Sequence, residues 1–239
     1  MDYSTIPLFL KYSLVTTFSY YFLHTILYYF YPPFLAIKPA HKQWYVISNL
    51  IKSLSLFLMS FPAIFLLWNI YSNQNWNVDN IRYLATIYAV LDTVSLFMVP
   101  KMQKNTIIHH CSVFALYVVC MIYHFQKNSI AELICVYAVW SSFAYLVNLY
   151  LAIRIFIPNK DNLLTILCFY SYYIYFVCCF FNWSYQFYHM YDNVFNHPFS
   201  LEYVLYGFLL INLVYDDCVL MKYLYTNKKP ILNHNKKQQ

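Results

Sequence analysis

Charge is what this chain lacks. Only 10% of its 239 residues are Asp, Glu, Lys or Arg, against about 25% in a soluble domain. So few charges cannot coat a surface that faces water. Long connections between the apolar runs are also missing, which leaves no room for a separate soluble domain. The N-terminus has Asp2 in place of a basic stretch, and no small-x-small cleavage pattern follows the first apolar run. No cleavable signal is expected. Seven Cys are present, but no CxxC. Cys178 and Cys179 are adjacent, and Cys111, Cys120, Cys135, Cys168 and Cys218 are scattered. That pattern reads as small core residues, and neither as a metal site nor as disulfides. The runs are too long for strands and do not alternate, and no internal repeat is visible.

What is there is apolar and aromatic. Hydrophobic residues make up 62% of the chain, aromatic residues 23%, and Tyr alone occurs 28 times. Tyr buries a ring and needs one partner for its hydroxyl, which suits helix interfaces and membrane edges. It also makes apolar runs look milder than they are. A membrane span needs roughly 20 largely apolar residues. Seven segments qualify, near 7–31, 44–69, 80–100, 105–125, 130–157, 162–189 and 198–225, and Pro32, Pro33, Pro100, Pro158, Pro198 and Pro230 punctuate their ends. The expected fold is an all-α polytopic membrane helix bundle with about seven transmembrane helices.

Lys and Arg placement sets the expected topology. With the N-terminus outside, or luminal, the cytosolic elements hold eleven basic residues. The outer elements hold two, Arg82 and Lys127, while Lys11 and Lys52 lie within spans. The C-terminus is then cytosolic. The net charge of +6 needs no nucleic acid to explain it. It is this bias plus a basic tail that can touch anionic lipid. The tail ends Lys236-Lys237-Gln238-Gln239, which resembles the dilysine signal of endoplasmic reticulum membrane proteins.

Against this background, the polar residues inside the spans stand out. Ionisable groups in hydrocarbon are costly and usually face a bundle interior. Counted at about 1.5 Å per residue from the nearest cytosolic charge, His109 lies roughly 8 Å deep, Asp216 and Asn148 roughly 9 Å, Asp92 roughly 14 Å and Lys52 roughly 15 Å. Five helices thus place polar groups in one slab of the cytosolic half, and the outer half is expected to hold nothing comparable. Helical spacing groups them into stripes: Asn49, Lys52 and Ser53; Tyr88, Asp92 and Ser95; Asn105, His109 and Ser112; Ser141, Tyr145 and Asn148; Asn212, Tyr215 and Asp216. His109 and the adjacent His110 differ by about 100° around the axis. Both reach a central cavity only if it is wide, or else one faces a neighbouring helix. Asp92, Asp216 and Asp217 oppose Lys52 and the histidines. Pairing across helices is expected, with Asp92 or Asp216 facing a histidine and Lys52 taking a remaining acid.

The same residues carry a family resemblance. An Asp on one helix, a short basic loop and an HH pair early in the next helix read here as LDTVSLFMVPKMQKNTIIHH, with Asp92, His109 and His110. A Trp near the cytosolic edge with a polar patch reads WYVISNLIKS, with Trp44, Asn49, Lys52 and Ser53. Asn148 ahead of Arg154 matches a later helix. The chain resembles the TLC-domain family, which includes TRAM and the ceramide synthases. The resemblance covers residues 42–226, six spans, with 1–41 as an N-terminal helix and linker and 227–239 as a basic tail. It departs from the ceramide synthases in lacking their downstream His-Asp segment and its Gly. A second resemblance, to fatty-acid elongases, rests on Asp92-Thr93 and the His pair. Ile107 stands where the first His of the elongase box belongs, and Tyr88 and Ala89 replace its Lys and Glu.

What the TLC resemblance implies is lipid handling. The expected function is binding of a lipid or acyl chain in an intramembrane polar cavity, in lipid metabolism or homeostasis. As an enzyme the chain would be an acyltransferase using acyl-CoA as substrate, with no resident cofactor and no metal. His109 or His110 would act as general base, Asp92 would orient the ring, and Lys52 or Asn148 would meet the developing oxyanion, with Asn49 and Asp216 also binding substrate. A non-enzymatic lipid sensor, or a trafficking or translocation accessory, is the competing reading. A homo-oligomer is compatible with either.

Overall fold

A computed structural model describes residues 5–73, 75–127, 129–155, 162–195 and 201–228. Pro158, Pro198, Pro230, Asp2 and the Lys236-Lys237 tail therefore lie outside the described residues. Every regular element among the described residues is helical. The helices are α1 (Thr5–Phe30), a short α2 (Pro32–Leu35), α3 (His41–Trp68), α4 (Val78–Met98), α5 (Lys104–Ile122), α6 (Ile130–Ser141), α7 (Tyr145–Ile153), α8 (Asn162–Phe195) and α9 (Leu201–Asn227). A π turn at Asn69–Asn73 extends α3, and a 3-10 turn at Ser142–Ala144 joins α6 to α7.

Six of these helical stretches are long and apolar enough to cross a membrane: His41–Ser72, Val78–Met98, Lys104–Ile122, Ile130–Ile153, Asn162–Asp192 and Leu201–Asn227. Their outward faces are apolar. Phe65 is 70% exposed, Phe97 82% and Ile211 69%, a surface that suits hydrocarbon and not water. α1 has 26 residues but carries Lys11, His24 and five Tyr, and it is not among the six. It is nonetheless packed into the bundle. Tyr20 is buried and donates to Ser48 Oγ on α3 at 2.9 Å. Phe9 stacks on Tyr117 of α5 with ring centroids 5.4 Å apart.

Successive helices run up and down, so each end of the bundle collects alternate termini. At one end Trp76 Nε1 donates to the Phe125 carbonyl at 2.8 Å. Tyr123 there faces Glu202, and this carboxylate pushes its hydroxyl up to about 12. The described acids Asp79, Glu132, Asp192 and Glu202 belong to this end, with Arg82 and Lys127. The opposite end holds Lys38, Lys42, Lys101, Lys104, Arg154, Lys222 and Lys228. The core between the ends is drawn from α3, α4, α5, α6 and α9, with Val46, Ile47, Val90, Leu116, Val136 and Leu213 almost fully buried. The fifth expected segment, 130–157, is one span in two pieces. Ser142 Oγ caps Val139 O at 2.7 Å where the 3-10 turn interrupts the helix.

Candidate functional site

Four helices bring five ionisable side chains together. α3 supplies Lys52, α4 Asp92, α5 His109 and His110, and α9 Asp216. Asp92 is the hub. Its Oδ1 lies 2.6 Å from Lys52 Nζ and 3.2 Å from His110 Nδ1. Its Oδ2 lies 3.7 Å from His109 Nε2. Lys52 Nζ is also 3.2 Å from His110 Nε2. An ammonium offers only donors, so His110 Nε2 accepts, which assigns the remaining ring proton to Nδ1, facing Asp92. His110 thus accepts from Lys52 at Nε2 and turns Nδ1 towards Asp92.

His109 sits differently. Its Nδ1 is 3.1 Å from Asp216 Oδ2, and its ring stands 82° to that of His110, with centroids 5.5 Å apart. The side chains of Asp92 and His110 are 8% and 5% exposed, those of His109 and Asp216 15% and 24%. The pair His109–Asp216 is thus the open side of the cluster. Asp92 Oδ2, His109 Nδ1 and His110 Nδ1 are buried, and although each has an ionic neighbour none has an aligned hydrogen bond. Such capacity in a buried site is what a polar ligand group uses. With neutral imidazoles, two carboxylates face one ammonium.

Asp92, His109 and His110 also offer three ligand atoms within 4.8 Å of one another, so the donor types suit a divalent ion. The ammonium of Lys52 already stands beside two of those three groups. A metal would meet it at close range, and His110 could ligate through Nε2 only by displacing the lysine. The arrangement is that of an ion-pair cluster centred on Asp92, with the ammonium occupying the place a metal would need.

The remaining expected residues fall elsewhere. Asn49 lies one turn from Lys52, but its amide donates to Tyr45 O at 2.8 Å; that of Asn148 donates to Ala144 O at 3.1 Å. Among the described residues neither amide bonds the cluster. Tyr215 faces outward, 60% exposed. The expected pairing across helices forms: Asp216 faces His109, and Lys52 takes Asp92, which it shares with the histidines.

Asp217 is not a counter-charge to Lys52. Its carboxylate accepts from Tyr137 at 2.5 Å, Tyr175 at 2.6 Å and Trp183 Nε1 at 3.3 Å. α9 turns by about 100° per residue, which sends Asp216 towards α5 and Asp217 towards α6 and α8. The outer half, expected to hold nothing comparable, has a polar network of its own. There Tyr206 donates to Gln186 Oε1 at 2.6 Å, Gln186 donates to Leu133 O at 3.0 Å, and Tyr185 donates to Glu132 at 3.0 Å. The stripe Asn182, Gln186 on α8 was a visible signal at i, i+4 spacing, hidden by the aromatics around it.

An apolar cavity begins one turn from the cluster. Tyr88 on α4, Val113 on α5, Tyr137 on α6 and Leu213 on α9 form its near end, and Cys120 stands at its far end. From His110 to Cys120 the helix rises about 15 Å. Its volume is about 30 Å³, room for one or two waters, so a larger guest enters only as the lining side chains move. No family model, curated protein or solved structure matches the chain.

Proposed function

We propose that the chain is a multi-pass endomembrane protein of TLC type that accommodates a lipid, its polar group at the Lys52–Asp92–His109–His110–Asp216 cluster and its chain in the adjoining apolar cavity. One observation carries this reading: ionisable groups from four helices converge in a buried site whose unmet polar atoms adjoin an apolar cavity. Helix glue alone needs only pairs, and membrane hydrogen bonds contribute about 0.6–2 kcal/mol each. Five linked groups, three of them on Asp92 and Asp216 on His109, exceed that need.

In this reading α1 is a seventh span. Its outward Leu14 and Phe18 are 73% and 69% exposed, and its Tyr residues lower its hydropathy without making it polar. The excess of basic residues at one end supports a cytosolic basic end with the N-terminus outside. Residence in the endoplasmic reticulum rests on the Lys236-Lys237-Gln238-Gln239 tail.

The chemistry we assign is acyl transfer from acyl-CoA to an amine or hydroxyl: the base takes the nucleophile's proton, the new C–N or C–O bond forms as the thioester C–S bond breaks, and coenzyme A leaves as the thiol carrying that proton. His109 is the base, because it lies on the open side with Asp216 behind its Nδ1. Lys52, Asp92 and His110 position the cluster. Lipid binding without turnover uses the same geometry. Mass spectrometry of lipid retained by the purified protein tests the shared claim, and acyl-CoA offered with a long-chain amine tests turnover. The reading predicts retained lipid that is lost in His109→Gln. Protein that is folded yet free of lipid overturns it.

A further inference from the structure

Arg154 is a cation held by hydroxyls. It closes the C-terminus of α7, where a basic residue ordinarily serves the helix dipole. Its guanidinium turns away from α7 instead. One Nη donates to Tyr223 OH on α9, and the other lies 3.5 Å from Tyr45 OH on α3. Its carbon centre sits 4.7 Å from the Tyr223 ring centroid. Two of its five donor hydrogens are used in this way, and no carboxylate pairs with it among the described residues. Tyrosine contacts fix a guanidinium without neutralising it, and the remaining donors form the planar fork that phosphate groups bind.

Placement links this fork to the cluster. Tyr45 and Lys52 are seven residues apart on α3, and so are Asp216 and Tyr223 on α9. Both pairs lie on one helix face, about 10 Å apart along the axis. The arginine therefore stands at the basic end, about 10 Å from the cluster along the faces that supply Lys52 and Asp216.

We propose that Arg154, held by Tyr45 and Tyr223, is an anion seat for the phosphate ester of a ligand whose other end reaches His109 and Asp216. The proposal rests on the lipid-site reading and adds the ligand class to it. A phospholipid supplies this group from the bilayer, and coenzyme A supplies it from the cytosol.

The test uses the purified full chain in detergent, with binding of phosphatidic acid, diacylglycerol of the same chains, and coenzyme A measured by native mass spectrometry. At least one phosphate ligand is expected to bind about tenfold more tightly than diacylglycerol. Arg154→Gln abolishes that preference, and Tyr223→Phe, which keeps the ring, weakens it. Preference for phosphatidic acid assigns the seat to a headgroup, and preference for coenzyme A to a soluble donor. Should Arg154→Gln fail to fold, loss of the wild-type preference at high salt serves as the second measurement. Equal binding of all three ligands, or an undiminished preference in folded Arg154→Gln or at high salt, overturns the proposal. Retained lipid without phosphate preference defeats the anion seat alone, whereas no retained lipid defeats the underlying reading.

Discussion

Lys52 and Asp92, forty residues apart, meet at 2.6 Å inside the bundle, and both are nearly inaccessible. Removing one partner of a buried ion pair strands the other, at about 3–5 kcal/mol. Asp92→Ala is expected to lower the midpoint of thermal unfolding in detergent strongly, since it also strips His110 and His109 of their common neighbour. Lys52→Met combined with Asp92→Leu should cost clearly less than the two single changes together. Additive losses in that cycle would show that the pair is not coupled.

His109 and His110 should separate by phenotype. His110 is the more deeply buried ring and accepts from Lys52, so His110→Gln is expected to reduce stability first. His109 lies on the open side, so His109→Gln should fold with near-normal stability and lose retained lipid. Thermal unfolding and lipid mass spectrometry on both variants decide the matter, and the reverse assignment would refute it.

Asp217 is predicted to be an anchor for α6, α8 and α9. Hydrogen bonds to a charged group contribute about 1.5–3 kcal/mol each. Tyr137→Phe and Tyr175→Phe should each destabilise by that order, as measured by unfolding midpoints, without changing retained lipid. Selective loss of lipid in a stable Tyr175→Phe variant would move Asp217 into the site.

Gly207 is the only glycine in the chain, and it sits on α9 facing Met190. A Cβ there would approach Met190 Cε to 3.3 Å. That methyl is the end of a flexible side chain and can give way. Alanine is favoured over glycine in a helix interior by about 0.5–1 kcal/mol, so Gly207→Ala is expected to leave the unfolding midpoint unchanged or raise it. A drop of several degrees would mean that the α8–α9 contact cannot yield.

The helices were legible because long apolar runs have few alternatives. The segment expected near 44–69 is a helix at His41–Trp68, and that near 80–100 is Val78–Met98. The interruption at Ser142–Ala144 was not legible, since WSSFAY carries no Pro or Gly to mark it. Stripe arguments found Lys52, Asp92, His109, His110 and Asp216, because charge in an apolar run is a loud signal. Asn49 and Asn148 instead donate to their own helix backbone and do not bond the cluster. The stripe arguments also missed Tyr137, Tyr175 and Trp183, whose polar atoms vanish in an apolar count. Adjacent histidines were expected either to reach one wide cavity or to part, with one facing a neighbouring helix. They share Asp92 because it lies between them, with His109 also reaching the neighbouring helix.

The hydroxyl of Tyr20 is lodged against Ser48, and the ring of Phe9 lies flat on Tyr117. A version of this protein trimmed to start at residue 42 would uncover a polar notch on α3 and an aromatic face on α5 directly to the bilayer. Shortening from the front should therefore yield a loosened barrel of staves, and any reconstitution of the minimal unit has to begin with the leading helix in place.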